Sequence, residues 1–238
     1  AGSFARAQAT ALALRRIEAA ESRLRLRVEV TVSDVNRDHL GPLLSHLTGA
    51  LRGCAVSCSL APGAGAAPAA DAETLRSFER FTRMLTLARE AGEVARAPGW
   101  LGPVADAQAD LAWSRTLDEA RGKATPRPCY AGRFAGVVDP EGTVRACLSR
   151  SEILGNLREA EYRLGRIWGG VAARTERARN AREGCGCVCP CCLAPSLTLD
   201  PRRYPALLAT GAKKLMARRQ ARRSARLPSD LYDTAYLM

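Results

Sequence analysis

The stretch Gly184-Cys185-Gly186-Cys187-Val188-Cys189-Pro190-Cys191-Cys192 constrains this chain more than any other. Five of the nine cysteines of the chain fall within its eight residues 185–192. Packing does not account for them, because a buried cysteine acts as a small hydrophobe and no core needs five in one loop. Disulfides account for them poorly: cysteines at such short spacings are badly placed for the dihedral that a disulfide prefers. A soft metal centre accounts for them well, since thiolates are the favoured ligands of iron–sulfur clusters, zinc and Cu(I). The fold must therefore bring other ligands to this loop or assemble a site within it.

The rest of the composition narrows the class. A chain of 238 residues, 47% of them hydrophobic, can bury one large core or two small ones. No apolar run approaches the length of a membrane span. The opening Ala1-Gly2-Ser3-Phe4-Ala5-Arg6 lacks the basic-then-apolar pattern of a secretory signal. Nine cysteines, an odd number, without such a signal point to a reducing compartment, the cytoplasm. The net charge of +12 is concentrated late: Lys213, Lys214, Arg218, Arg219, Arg222, Arg223 and Arg226 crowd one segment. Such a run is either a solvated helix face or a surface for an acidic partner. The two histidines, His39 and His46, fall seven apart on an expected helix, and no Ser-His-Asp pattern or phosphate loop is present.

Residues 5–22 carry a helical pattern of Leu12, Leu14, Ile17 and Ala20. The period then changes: Leu24, Leu26, Val28, Val30 and Val32 alternate with polar residues, predicting a strand with one polar face. Ser33 to Asn36 end it, and Asn36 is the best-placed cap for a helix over 37–52 with Leu40, Leu43, Leu44, Leu47 and Leu51 inward. A second strand, Cys54 to Leu60, completes a βαβ unit and implies parallel pairing in an α/β fold. Cys54 and Cys58 lie on its apolar side and read as core thiols. Residues 61–70 form an Ala/Pro/Gly loop. Asp71 then caps a helix to about 95, with Leu75, Phe78, Phe81, Met84, Leu85 and Ala88 inward. Another helix spans roughly 103–121, and residues 122–128 form an extended linker.

Beyond the linker, Phe134 to Val138 and Thr143 to Cys147 predict a hairpin around Asp139-Pro140-Glu141-Gly142. The hairpin lets Cys147 approach Cys129. A helix to about residue 182, with Ile167 and Trp168 on its apolar side, delivers the chain to the cysteine-rich loop. Four thiolates for one cluster are then available, Cys129 and Cys147 from the hairpin and two from residues 185–192.

These residues resemble the auxiliary-cluster region, called SPASM or twitch, of radical S-adenosylmethionine (SAM) proteins. The shared features are Cys129, Gly142 and Cys147 at the family's spacing, then Leu154-Gly155-Asn156-Leu157-Arg158-Glu159, then Ile167-Trp168. Cys185, Cys187 and Cys191 match the three cysteines of the family's later motif, while Val188 and Cys189 replace its Thr and His. Pro205-Ala206-Leu207-Leu208 is similar to the family's tail, and Val30 to Asn36 is similar to the end of a middle strand of the radical SAM barrel. The resemblance implies the later part of a partial (βα) barrel over 1–122, a small α+β iron–sulfur domain over 123–208 and a basic helical tail over 209–238. It further implies an auxiliary [4Fe–4S] cluster on Cys129, Cys147, Cys185, Cys187 and Cys191, with the fourth ligand open among the loop thiols. Ser33 and Asn36 would face S-adenosylmethionine in an intact relative.

The family's Cys-x3-Cys-x2-Cys motif is absent before Cys54, and the same spacing from Cys185 to Cys192 lies in the wrong context. The chain is therefore expected to be a fragment or a degenerate homologue, inactive alone, that takes part in radical modification of a substrate, a peptide among the candidates. A zinc-binding interaction module with a nucleic-acid-contacting tail is the alternative, since Cys189-Pro-Cys-Cys192 has a zinc half-site spacing. Three Trp, five Tyr and four Phe leave little for base stacking, which argues against nucleic acid. A metal-storage or redox-sensing loop built from Cys187 to Cys192 alone is a third reading.

Overall fold

In the computed structural model, which describes residues 2–21, 23–61, 70–123, 129–148, 150–184, 193 and 196–224, the alternating segment becomes strand β1, Arg27–Val32. Val30 and Val32 are buried, while Arg27, Glu29 and Thr31 face outward, as a period of two requires. Strand β2, Ala55–Leu60, pairs with it in parallel, Val30 opposite Cys58 and Val32 opposite Leu60. The expected βαβ unit is present, and the chain is a mixed α/β protein. Cys54 and Cys58 are buried in the core of this unit, and burial pushes both thiols above the ordinary cysteine range.

Helix α1, Ser3–Ala20, lays Ala11 and Leu12 against that core, and its Glu18 carboxylate accepts from the Leu26 amide at 3.1 Å. Helix α2, Leu40–Ala50, begins later than its pattern predicts. Asn36 does not cap it. The Asn36 side chain instead accepts from the Ser33 amide at 2.9 Å and donates to the Thr31 carbonyl at 2.8 Å, which folds residues 34–38 into turns.

Helix α3, Ala72–Glu90, starts where Asp71 accepts from the Thr74 amide at 2.7 Å. It closes on Gly92, whose φ of 78° suits glycine, several residues before the expected end. Phe78, Phe81 and Leu85 are fully buried, whereas Met84, expected inward, is exposed and reaches over Gly41 of α2. Helix α4, Gly102–Ala120, adds Trp113 and Leu117 to the core, with the Trp113 indole donating to the Cys58 carbonyl at 3.1 Å.

The basic segment from Lys213 to Arg223 is part of helix α7, Tyr204–Ser224, which follows a 3-10 turn at Pro201–Arg203, and Arg226 lies outside the described residues. Position 209, where the tail was expected to start, lies inside α7. This helix packs along α4, with Gly211 facing Val104. Lys214 pairs with Asp110 at 2.5 Å, and Arg218 pairs with Asp106. Asp106 and Asp110 also meet Arg89 of α3, whose guanidinium lies 5.1 Å from the Trp113 ring centre. A half-buried charge network thus ties α3, α4 and α7 together. Among the described residues, no helix is long and apolar enough to cross a membrane.

Candidate metal centre

The second core of the chain is built on a three-stranded antiparallel sheet, β3 (Val137–Val138), β4 (Thr143–Arg145) and β5 (Ile153–Asn156), in the order β3-β4-β5. The turn between β3 and β4 is held by Asp139, which accepts from the Thr143 amide at 2.8 Å and pairs with Arg145 at 3.0 Å. Desolvation opposes ionisation of Asp139, but these hydrogen bonds outweigh it and hold its carboxyl below the ordinary range. Gly142 completes the turn with φ 88°.

The Leu154-Gly-Asn-Leu-Arg-Glu stretch has a structural task. Asn156 donates to the Glu141 carbonyl at 3.2 Å and accepts from the Arg158 amide at 2.8 Å, bracing the turn from the far strand. Gly155 leaves room for Ile167: a Cβ there would come within 3.1 Å of the Ile167 side chain. Gly136 does the same for Trp168, with a Cβ 2.6 Å from the ring. The helix that carries Ile167 and Trp168 is not continuous to residue 182. Gly169-Gly170 divides it into α5, Leu164–Trp168, and α6, Val171–Glu183. Phe134, expected in the first strand, sits in a turn and is exposed, because its amide and that of Arg133 both bond back to the Tyr130 carbonyl.

Cys129 and Cys147 lie in this core, at 6% and 2% exposure, with Ala131, Val144, Ala146, Leu154, Ile167 and Ala173. The segments that carry them touch: a Cβ on Gly132 would lie 3.4 Å from the Ala146 methyl. Helix α6 joins this core through Ala173 and is tied to the Cys129 segment. Asn180 donates to the Ala131 carbonyl at 3.3 Å, and Arg177 donates to the Gly132 and Trp168 carbonyls at 3.2 and 2.8 Å. On the other side, Arg150 meets Glu176 at 3.6 Å and Glu183 at 2.9 Å. Helix α6 then closes on Gly184, φ 69°, directly before Cys185. Cys185, Cys187 and Cys191, with Cys189 and Cys192, lie outside the described residues.

Two features of this site were not read from the sequence. One is β5, which looked like a motif rather than a strand because it is only four residues long. The other is the polar face of α6: Glu176 and Asn180 are both fully buried, and among the described residues Glu176 Oε1 and Asn180 Oδ1 have no hydrogen-bond partner. Their i, i+4 spacing puts them on one face, but nothing in an Arg-rich helix distinguishes that face beforehand.

Among the described residues, no three His, Cys, Asp or Glu side chains form a metal-holding group, and the two described thiols of the expected set share one core. At the other candidate position, Ser33 and Asn36 lie at the end of β1, and the contacts of Asn36 are those of a loop brace. No model of a known protein family, no curated protein and no solved structure matches the chain.

Proposed function

We propose that residues 129–192 hold an auxiliary [4Fe–4S] cluster, and that the chain acts within a radical SAM-type protein that modifies a substrate, a peptide being one candidate class. The observation that carries this reading is the convergence around α6. Cys129 and Cys147 are buried in one core that this helix joins, and its end leads within two residues to a run of five cysteines. The donor set fits the group. Thiolates are the natural ligands of iron–sulfur clusters, and a buried, alanine-lined core excludes water from the sulfur atoms. Cys129 and Cys147 would supply two ligands, and Cys185, Cys187 or Cys191 the others.

When bound, such a cluster supplies a one-electron carrier or an iron that holds a substrate group. The chain's own residues set the surroundings. The Arg177 bridge fixes the Cys129 segment against α6, and Asn156 fixes the hairpin that leads to Cys147. Glu176 places a buried carboxylate on the same helix, with Arg179 at 2.8 Å, and buried charge of this kind tunes a nearby redox centre. S-adenosylmethionine belongs to the proposal through the resemblance of the β1 end, and no step is assigned to Ser33 or Asn36.

The test is a panel of single substitutions on protein purified without oxygen. Cys129→Ala and Cys147→Ala are expected to remove bound iron and sulfide, while Cys54→Ala leaves both in place. Metal retained in the Cys129 and Cys147 variants would place the site wholly within residues 185–192 and reject the reading.

A further inference from the structure

Helix α7 has two faces with different tasks. Positions 207, 211, 214 and 218 follow helical spacing and form the side against α4, where Gly211 meets Val104 and Lys214 and Arg218 find their carboxylates. The residues one place further on, 208, 212, 215 and 219, are rotated by about 100° and form a second stripe. Leu208 is 61% exposed, Leu215 39% and the neighbouring Met216 64%, with Ala212 and Arg219 exposed beside them. Three large apolar side chains are thus presented on one helix without a covering element among the described residues.

The charge carried by this helix is of one sign. No Asp or Glu occurs from residue 201 to residue 229. The internal carboxylates take up Lys214 and Arg218, whereas among the described residues no carboxylate pairs with Lys213 or Arg219. An apolar stripe that carries the cation of Arg219 within it, with Lys213 beside Met216, complements a segment with leucine-like residues on one side and carboxylates on the other. Nucleic acid suits it less well, because the stripe presents aliphatic groups rather than stacking rings.

We infer that the Leu208–Leu215–Met216 stripe of α7, with Lys213 and Arg219, is a docking surface for an acidic amphipathic peptide segment of a substrate or partner. The surface lies on the helix that packs against α4, and its function does not depend on the metal reading. Apolar contact supplies the affinity, and the cations select the sign of the partner and speed the encounter.

The test uses the full chain and a short dye-labelled synthetic peptide, with leucines at i, i+4 and i+7 and glutamates on the remaining face, in a fluorescence-anisotropy titration. The expected result is saturable binding that weakens with salt and by roughly tenfold in each of two variants, Leu208→Gln with Leu215→Gln and Lys213→Gln with Arg219→Gln. A peptide of the same composition with scrambled leucines is expected to bind at least about tenfold more weakly. Circular dichroism confirms that the variants keep their helix, since all four side chains lie off the α4 interface. Lack of peptide binding overturns the inference, as does binding unchanged in both variants. Equal binding of polyglutamate reduces the surface to bare charge and overturns it too. Tighter binding of poly-dT, or of phosphatidylserine vesicles over phosphatidylcholine vesicles, identifies another class of partner and likewise overturns it. Iron content is not a readout here, so failure of the cluster proposal leaves this result untouched.

Discussion

The contact between Gly136 and Trp168 offers the sharpest perturbation of the second core. A methyl group at position 136 would lie 2.6 and 2.8 Å from two carbons of the Trp168 ring, and 3.2 Å from the Arg145 carbonyl. Ordinary carbon contacts lie near 3.5–4.0 Å, so the ring must move by about an ångström, since the Arg145 backbone carbonyl also crowds the methyl. Gly136→Ala is therefore expected to destabilise the protein by about 1–3 kcal/mol, the usual range for overpacking. Trp168 is half-buried and able to swing partly outward, which places the value in the lower part of that range. Trp168→Phe withdraws the two clashing carbons, so the double variant should be less destabilised than the sum of the singles by about 1 kcal/mol. Urea unfolding at constant m-value measures this coupling, and each kcal/mol moves the melting temperature by about 2–4 °C. The displacement also has a route to the thiols: the Trp168 carbonyl shares the Arg177 guanidinium with Gly132, three residues from Cys129. Gly136→Ala should thus lower iron content without touching a cysteine. A neutral Gly136→Ala, or a cycle with zero coupling, would refute this packing argument.

Further outcomes follow from other parts of the fold. The Thr74 backbone amide, then the Thr74 hydroxyl and the Arg37 guanidinium, hold Asp71 at about 2 against an ordinary 3.8. Its folded value is the lower one, so its contribution is present above about pH 4 and is lost as the pH falls toward 2; Asp71→Asn should flatten that acid limb in a pH series of melting temperatures. Asp106→Ala strips partners from Arg89, Arg218 and the Ala97 amide together and is expected to destabilise by about 3–5 kcal/mol, with Arg218→Met markedly milder because its head is more exposed. Chemical denaturation of the two variants checks this ranking. Asn36→Ala should lower stability by about 1 kcal/mol through loss of the β1–α2 brace, whatever ligand is present.

The first core was readable because its signals are local. Alternation from Val28 to Val32 specified β1 and its buried face, and a helical period followed by a second apolar strand specified parallel pairing. Errors arose where side chains compete with the backbone or where partners are distant in sequence. Asn36 looks like a helix cap in isolation, but it bonds backward to Thr31 and Ser33. The Gly169-Gly170 break was visible as letters, yet helix-favouring Ala and Arg residues lie on both sides of it. The cation run reads as a solvated helix face or a surface for an acidic partner because Asp106 and Asp110, which take Arg218 and Lys214, lie about a hundred residues earlier at matching i, i+4 spacing. At the candidate centre, cysteine spacing marked the thiols, whereas the buried Glu176 and Asn180 carry no periodic signal.

The most direct test of the central claim is the iron, sulfide and zinc content of the anaerobically purified chain, read with its visible spectrum. The cluster account predicts a brown protein with about four irons and four sulfides per chain. A colourless protein with about one zinc and no sulfide would contradict it and establish a zinc site in its place.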